Sequence, residues 1–387
     1  MNFPAEKKLF IAIACGGTGG HLFPGVAVAG ELKKLGCEVA LLVSPKEVDQ
    51  QAVKNLDNIG VYTLPAVGLQ NRNYLSFARS FWNSFRAARR IFAQKNPAAV
   101  LAMGGFTSAP PALAARKFGA KTFLHESNTI PGKANRFLGR FVDEAFIGFP
   151  EAETKLRAKK ISITGTPVRP QFSTAKNDPA RCRTLLGLDP NLPMVLIVGG
   201  SQGARGLNDL ILSALPLLKE KNWQWLHLTG AADFEKVKNF YATQNLKAMA
   251  KPFLAEMDLA LGAATACVSR AGASSLAEMA ALRLPSALVP LPTAADNHQF
   301  FNATAFEKTG AVILMEQNSS PEKVAAVLLK LVENDDSRSK IQSALAQWHS
   351  PEAAKDIAGK ILNAVGMPVS SGTGDVSGND MRLKAVA

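Results

Sequence analysis

Short, continuous apolar runs alternate along this chain with longer stretches of helical spacing. Leu9–Ala14, Val39–Val43, Val100–Met103 and Thr122–Leu124 read as buried strands, and Val195–Val198, Trp225–Leu228, Ala266–Ser269 and Ala287–Val289 repeat the pattern later. Runs with no polar face, separated by helices, are the mark of parallel sheet covered on both sides. Phe23–Leu35, Tyr74–Gln94, Gly206–Glu220, Ser274–Leu282 and Pro321–Glu333 have the apolar spacing and length of helices. The predicted class is α/β, with two doubly wound, Rossmann-like domains.

The chain also repeats itself. FIAIACGGTGGHLFPGVAVAGEL (10–32) is a strand, a Gly-rich turn and a helix, and MVLIVGGSQGARGLNDLILSAL (194–215) is the same device. Each half carries a second such unit, VLAMGGFTSAPPALAAR (100–116) and ACVSRAGASSLAEMAAL (266–282). The expected division is residues 1–165 and 166–349. The Pro-rich, polar segment GTPVRPQFSTAKNDP (165–179) joins them. The Ser/Gly-rich stretch 367–387 reads as a disordered tail.

Composition narrows the picture. At roughly 100–200 residues per domain, 387 residues suit two or three domains. With 47% apolar and 19% charged residues, the chain can bury sizeable cores and is not disordered. Cys15, Cys37, Cys182 and Cys267 form no C-x-x-C pair, which argues against a disulfide framework or zinc knuckle and fits a reducing compartment. No apolar run approaches the roughly 20 residues of a membrane-spanning helix, and the N-terminus has no signal-peptide pattern. The formal charge is +13, and most of it is local: residues 72–140 hold twelve Lys or Arg and one acid, Glu126, a net +11.

A Gly-rich turn from strand into helix can set backbone N–H groups and the positive helix end against a phosphate. Four such turns make a phosphate or diphosphate ligand the economical reading. It is not NAD, because a GxGxxG fingerprint begun at Gly17 and Gly19 meets Leu22 where its third glycine belongs, and Ser44-Pro45-Lys46 follows the second strand in place of an acid. No GxxxxGK[ST] P-loop is present either.

GGTGGHLFPGVAVA (16–29), MGGFTSAP (103–110), HESN (125–128), PGKAN (131–135), GTPVR (165–169), GGSQGAR (199–205), SRAGASSLAE (269–278) and DNHQFFNA (296–303) stand in the order and spacing of one family. Over residues 9–365 the chain resembles the lipid II-forming N-acetylglucosaminyltransferases of peptidoglycan synthesis, the MurG family of GT-B, family 28 glycosyltransferases. The resemblance implies two Rossmann-like domains facing a cleft, with a final helix (350–366) packing back on the first. It implies inverting, metal- and cofactor-independent transfer of N-acetylglucosamine from UDP-GlcNAc to the C4 hydroxyl of undecaprenyl-diphospho-N-acetylmuramoyl-pentapeptide (lipid I), at the cytoplasmic face of the bacterial plasma membrane. Donor contacts are then expected at Thr18, Gly19, Gly20, Asn128, Arg169, Ser201, Gln202, Gly203, Leu254, Ala273, Glu278 and Gln299. Acceptor contacts are expected at Gly16, Gly17, His21, Gly104, Gly105, Phe106, His125 and Glu126. Glu278 has the chemistry to accept both ribose hydroxyls, and Arg169 to approach the diphosphate. Asp296 and Asn297 either help at the sugar or cap the following helix. For the general base, His21 and Glu126 are rivals. Phe106 departs from a frequent tyrosine and lacks its hydroxyl.

The basic window has two readings. Tyr74, Phe77, Phe81, Trp82, Phe85, Ala88 and Phe92 fall on one helical face flanked by Arg79, Arg86, Arg89 and Arg90. Aromatics ringed by arginine fit an anionic membrane surface, and the lipid acceptor favours that over a solvated core helix. Nucleic acid is not expected, since no RNA-binding signature accompanies the charge. A diacylglycerol glycosyltransferase or a UDP-GlcNAc 2-epimerase are the competing activities.

Overall fold

The computed structural model describes residues 8–17, 19–54, 56, 59–65, 74–172, 178–200 and 203–367. The first half builds a sheet of Phe10–Ala14 (β1), Glu38–Val43 (β2), Gly60–Thr63 (β3), Ala99–Ala102 (β4), Lys121–Glu126 (β5), Glu144–Ile147 (β6) and Ile161–Ile163 (β7). The second builds one of Met194–Val198 (β8), Gln224–Leu228 (β9), Ala248–Lys251 (β10), Ala266–Ser269 (β11), Ser286–Leu288 (β12) and Ile313–Leu314 (β13). The orders are β3-β2-β1-β4-β5-β6-β7 and β10-β9-β8-β11-β12-β13. Every pairing among them is parallel.

Both sheets reverse direction at the same place, between β1 and β4 and between β8 and β11. In a doubly wound sheet the crevice beyond the strand ends at that reversal is where ligands sit. The four Gly-rich turns follow these four strands, so the sequence repeat is a repeat of switch points.

The central strands are buried along their length, as their unbroken apolar runs dictate. The sequence pattern missed the edge strands β3, β7, β10 and β13, which are short and partly exposed. It also missed β6, whose first residue is the buried Glu144. That carboxylate is held by Lys160 at 3.0 Å and by the Ser162 hydroxyl at 2.7 Å, so a charge occupies a strand position.

The helix Ala353–Ala364 crosses back to the first half. Its Ile357, Ala358, Ile361 and Leu362 join a core with Ile11, Ile13, Leu22, Leu32 and Leu41. Where the halves meet, Phe306 stacks on Trp348 at 4.1 Å between centroids, and Phe149 lies 5.9 and 5.5 Å from them. The Trp348 indole N–H donates to the Thr309 hydroxyl at 2.8 Å. Buried aromatic clusters of this kind add to area burial and hold one geometry.

Candidate active site in the interdomain cleft

At the first switch point the chain leaves β1 as Gly16-Gly17. A Cβ on Gly16 would stand 2.3 Å from the Ser44 backbone nitrogen, so only glycine fits there. Asp49 anchors the loop. Its buried Oδ2 accepts from the Gly17 N–H at 2.6 Å, the Ser44 N–H at 3.2 Å and the Ser44 hydroxyl. The Thr107 hydroxyl donates to the Gly16 carbonyl. Lys46 donates to the Gly17 carbonyl at 3.0 Å and lies 5.3 Å from the Phe106 ring centroid. Thr18 lies outside the described residues.

Gly19 and Gly20 open the helix Gly19–Lys34, which carries His21 one residue later. The imidazole rests on Gly104 and Gly105, whose φ angles are +104° and +73°. A Cβ on Gly104 would come within 2.9 Å of His21 Cε1. Nδ1 is buried with no partner at hydrogen-bond geometry among the described residues. Burial pushes the imidazole below its ordinary pKa, with Glu126 and the Met103 backbone pulling the other way. The ring is therefore neutral near pH 7 and able to accept a proton.

Glu126, at the end of β5, is saturated. Oε1 accepts from the Asn128 N–H and side-chain NH2, and Oε2 from the Gly132 N–H and the Asn135 side chain, all at 2.9 Å. A carboxylate with four donors has little left for a substrate proton, which weakens it against His21 as the base. The His125 ring, expected at the acceptor, is instead buried beneath the strand end. Its Nε2 meets the Gly165 carbonyl at 3.0 Å and its Nδ1 the Ser127 hydroxyl at 3.3 Å. Burial lowers its pKa, so the ring fixes the start of the linker as a neutral donor and acceptor.

On the other wall, the helix Ala273–Leu282 starts at Gly272 and points its N-terminus at the first glycine loop. The Ser274 hydroxyl donates to the Gly20 carbonyl at 2.7 Å. Two helix N-termini thus converge across the cleft, a natural setting for phosphate oxygens. Glu278 lies in the second turn, 3.7 Å from the Arg169 guanidinium. Burial raises its carboxyl to about 7, only partly offset by Arg169. Arg169 also lies over the Phe23 ring at 3.9 Å and the Phe172 ring at 4.9 Å. The Arg169 Nε is buried and has no hydrogen-bond partner among the described residues.

Gly203 turns with φ +77° against the Thr229 carbonyl, while Ser201 and Gln202 lie outside the described residues. Leu254 is buried in the second core. Gln299 accepts from the Leu291 N–H at 2.9 Å, leaving its NH2 without a partner among the described residues. The capping alternative for Asp296 and Asn297 does not hold. Asp296 pairs with Arg136 across the cleft at 2.5 Å, and Asn297 makes no capping bond because its own backbone is left-handed.

Three residues escaped sequence reasoning. Asp49 is a lone acid after β2, without a motif to flag it. Asn302 stands inside the quoted DNHQFFNA stretch but was not singled out. Arg270 spans from β11 to the Val289 carbonyl at 2.9 Å and the Gln317 amide oxygen at 2.6 Å, fixing the loop ahead of Gln299.

The aromatic stripe of Tyr74–Lys95 divides. Phe85, Ala88 and Phe92 are core residues, and Phe77 and Phe81 are half-buried. The stripe is therefore mostly packing, because the helix must bury one side against the sheet and its neighbour Ala109–Arg116. Leu75 and Trp82 are exposed, Arg86 covers the Trp82 ring at 5.3 Å, and Phe137 is exposed on the helix Lys133–Leu138. Arg79, Arg86, Arg89, Arg90, Arg116 and Arg140 are exposed around them. Arg72 lies outside the described residues. No described helix is long and apolar enough to cross a membrane.

Two parallel-sheet domains with facing switch points and convergent helix N-termini define the GT-B fold, and the family matches make its class glycosyltransferase. Residues 11–147 match the glycosyltransferase family 28 N-terminal domain, and residues 194–358 match its C-terminal domain. The chain belongs to glycosyltransferase family 28 and, within it, to the MurG-type N-acetylglucosaminyltransferases. It is 33% identical over 370 residues, 92% of this chain and 98% of the relative, to the UDP-N-acetylglucosamine--N-acetylmuramyl-(pentapeptide) pyrophosphoryl-undecaprenol N-acetylglucosamine transferase of Gloeobacter violaceus. It is 35% identical over 355 residues, 89% of this chain and 97% of the relative, to the Citrifermentans bemidjiense protein of that name. The crystal structure of Acinetobacter baumannii MurG superposes with a TM-score of 0.71 at 28% identity, covering 92% and 99% of the two chains. A UDP-GlcNAc 2-epimerase from Neisseria meningitidis shares the fold alone, with a TM-score of 0.68 at 15% identity over 92% of this chain and all of that one.

Proposed function

We propose that this protein transfers N-acetylglucosamine from UDP-GlcNAc to the C4 hydroxyl of the muramoyl sugar of lipid I, giving lipid II, by a single inverting displacement without a metal. The observation that carries this reading is the buried Glu278–Arg169 pair, set in the second turn of a helix whose N-terminus meets the first glycine loop. Such a site offers a carboxylate for a ribose diol, a cation for a diphosphate and two helix dipoles for the same charge.

In this reading neutral His21 takes the proton of the acceptor hydroxyl as its oxygen attacks C1. The C1–O bond to the diphosphate breaks, and UDP leaves against the helix N-terminus of Ala273 and Arg169. Gln299 offers its free NH2 to the sugar, and Asn128 faces the donor from the opposite wall. Glu126 then holds the Asn128–Asn135 loop in shape. Gly16, Gly17, Gly104, Gly105 and Phe106 line the acceptor side. The exposed Trp82, Leu75 and Phe137, with their arginines, would rest on an anionic membrane surface and present the cleft to a lipid acceptor.

The test is UDP release from UDP-GlcNAc with EDTA present. Lipid I, diacylglycerol or no acceptor is supplied, and the product linkage is read by NMR. Lipid I-dependent release with a β-linked product is expected. Release with diacylglycerol, or UDP-ManNAc formed without acceptor, would replace this reading with one of its competitors.

A further inference from the structure

Asn302 sits on His298–Lys308 of the second domain, fully buried, and reaches the first. Its Oδ1 accepts from the Thr129 N–H and the Thr129 hydroxyl, each at 3.0 Å. Its Nδ2 donates to Asn128 Oδ1 at 3.0 Å and to the Ala271 carbonyl at 3.2 Å. Both donors and both acceptor sites of the carboxamide are thereby used. Asn128 passes the connection on by donating its N–H and its Nδ2 to Glu126 Oε1. Asn135 donates to the other Glu126 oxygen and to the His125 carbonyl. A continuous polar string therefore runs from the Ala271 turn of one domain to the acceptor-side strand end of the other.

Asn128 differs from the rest of that string. Asn302, Thr129, Glu126 and Asn135 are buried, whereas Asn128 keeps part of its surface exposed. With Oδ1 held by Asn302 and one N–H held by Glu126, its amide plane is fixed and one N–H remains to meet a ligand. Glu126 alone sets which end of the amide donates, and the bond from Asn302 in the second domain is the second anchor that stops the plane from turning about it. Joining the domains needs no such group, since Arg136–Asp296, Ser274–Gly20 and the Phe149–Phe306–Trp348 cluster already do so.

We propose that Asn302 is a positioning residue that completes the clamp on the ligand-facing amide of Asn128, and that the clamp is complete only when the two domains are together. The competent donor wall is then assembled by domain closure instead of being carried ready-made on either half. This inference rests on the reading of Asn128 as a donor-side residue.

The test is a double-mutant cycle on the full chain with Asn302→Ala and Asn128→Ala. Turnover of UDP-GlcNAc and lipid I is measured, with direct UDP binding and thermal unfolding on each variant. Asn302→Ala is expected to lower kcat/KM by roughly 10- to 100-fold, with UDP affinity kept within about twofold. In the Asn128→Ala background the same change should cost less than about threefold, because its only route is already gone. Thr129→Val removes one bond to Asn302 without touching Asn128 and should cost less than Asn302→Ala. Should Asn302→Ala fail to fold, Asn302→Asp keeps the shape and the Thr129 bonds while setting an oxygen against Asn128 Oδ1. It should show the same non-additivity. Independent, multiplicative losses in the cycle, or loss of UDP binding in step with activity, overturn the proposal. A wild-type protein that ignores lipid I would instead defeat the functional reading itself.

Discussion

Glu278 holds its carboxylate 3.7 Å from the guanidinium of Arg169, yet burial keeps its pKa near 7 because the pair is too loose to compensate for lost water. The arginine is meanwhile clasped by Phe23 of the opposite domain. The pair is thus only partly satisfied, a loose ion pair whose Arg169 Nε has no hydrogen-bond partner among the described residues.

A pH dependence follows. A carboxylate that accepts two ribose hydroxyls must be ionised, so the donor KM should be flat above about pH 7 and rise about tenfold per unit below it. Glu278→Gln should raise that KM and abolish its slope while the KM for lipid I changes little. The stability sign is opposite. The native carboxyl binds its proton more tightly than the unfolded one, so this group disfavours folding increasingly as pH rises from the unfolded value through about 7. The wild type should accordingly lose stability in urea unfolding as pH rises from about 5 to 8, and Glu278→Gln should lack that loss. A donor KM that stays flat down to pH 5.5 in the wild type would remove Glu278 from the ribose.

His21 and Glu126 separate by pH profile. The His21 pKa is lowered by burial, so kcat should hold constant near neutrality and fall only in acid, below the ordinary imidazole value. His21→Ala should lose roughly 10²–10⁴ in kcat together with that acid limb. Glu126→Gln turns an NH2 toward donors already in place and should cost about 2–4 kcal/mol of stability. It should nevertheless keep the limb. An intact acid limb in His21→Ala would move the base elsewhere.

The fold was legible because parallel strands buried on both faces write themselves as unbroken apolar runs, and because four Gly-rich turns mark four strand ends. Edge strands such as β3 and β13 were not, since half-exposed backbone needs no apolar signature. In the site, motif residues such as Glu278 and Gln299 could be named in advance. Asp49 could not, because a lone carboxylate acquires its meaning only when 32 residues of chain bring it under Gly17. The membrane helix was over-read. Periodicity reports one apolar face but cannot divide it between core and surface, and among the described members of that face Trp82 alone is exposed, with Leu75 beside it.

That division sets a test for the surface. Arg86→Glu, Arg89→Glu and Arg90→Glu together should weaken binding to anionic vesicles by 100-fold or more, at about 1 kcal/mol per basic residue near the surface. Trp82→Ser should weaken it more modestly, and both variants should bind UDP as the wild type does. Raising salt from 50 to 300 mM should abolish the arginine effect and spare the tryptophan effect. Equal vesicle binding by the charge-reversed protein would leave the patch without a membrane role.

Asp49 offers the sharpest separation of the two walls. One buried oxygen fixes the Gly17 N–H, the Ser44 N–H and the Ser44 hydroxyl, so it joins the end of β1 to the end of β2 beneath the acceptor side. Asp49→Ala leaves those donors buried and unpaired, at about 1–3 kcal/mol for such a group. The loop that carries Gly16 and Gly17 should then relax, and His21, which follows it by four residues, should lose its seat on Gly104. Calorimetric UDP binding, which the proposed reading places mainly on the second domain and Arg169, should change less than about threefold. The KM for lipid I should rise and kcat fall together. Asp49→Asn keeps the shape but presents either a weaker acceptor or an opposing NH2, and should fall between the two. If Asp49→Ala instead weakened UDP binding as much as lipid I turnover, Gly16 and Gly17 would act with Gly19 and Gly20 on the donor, and their assignment to the acceptor would fall.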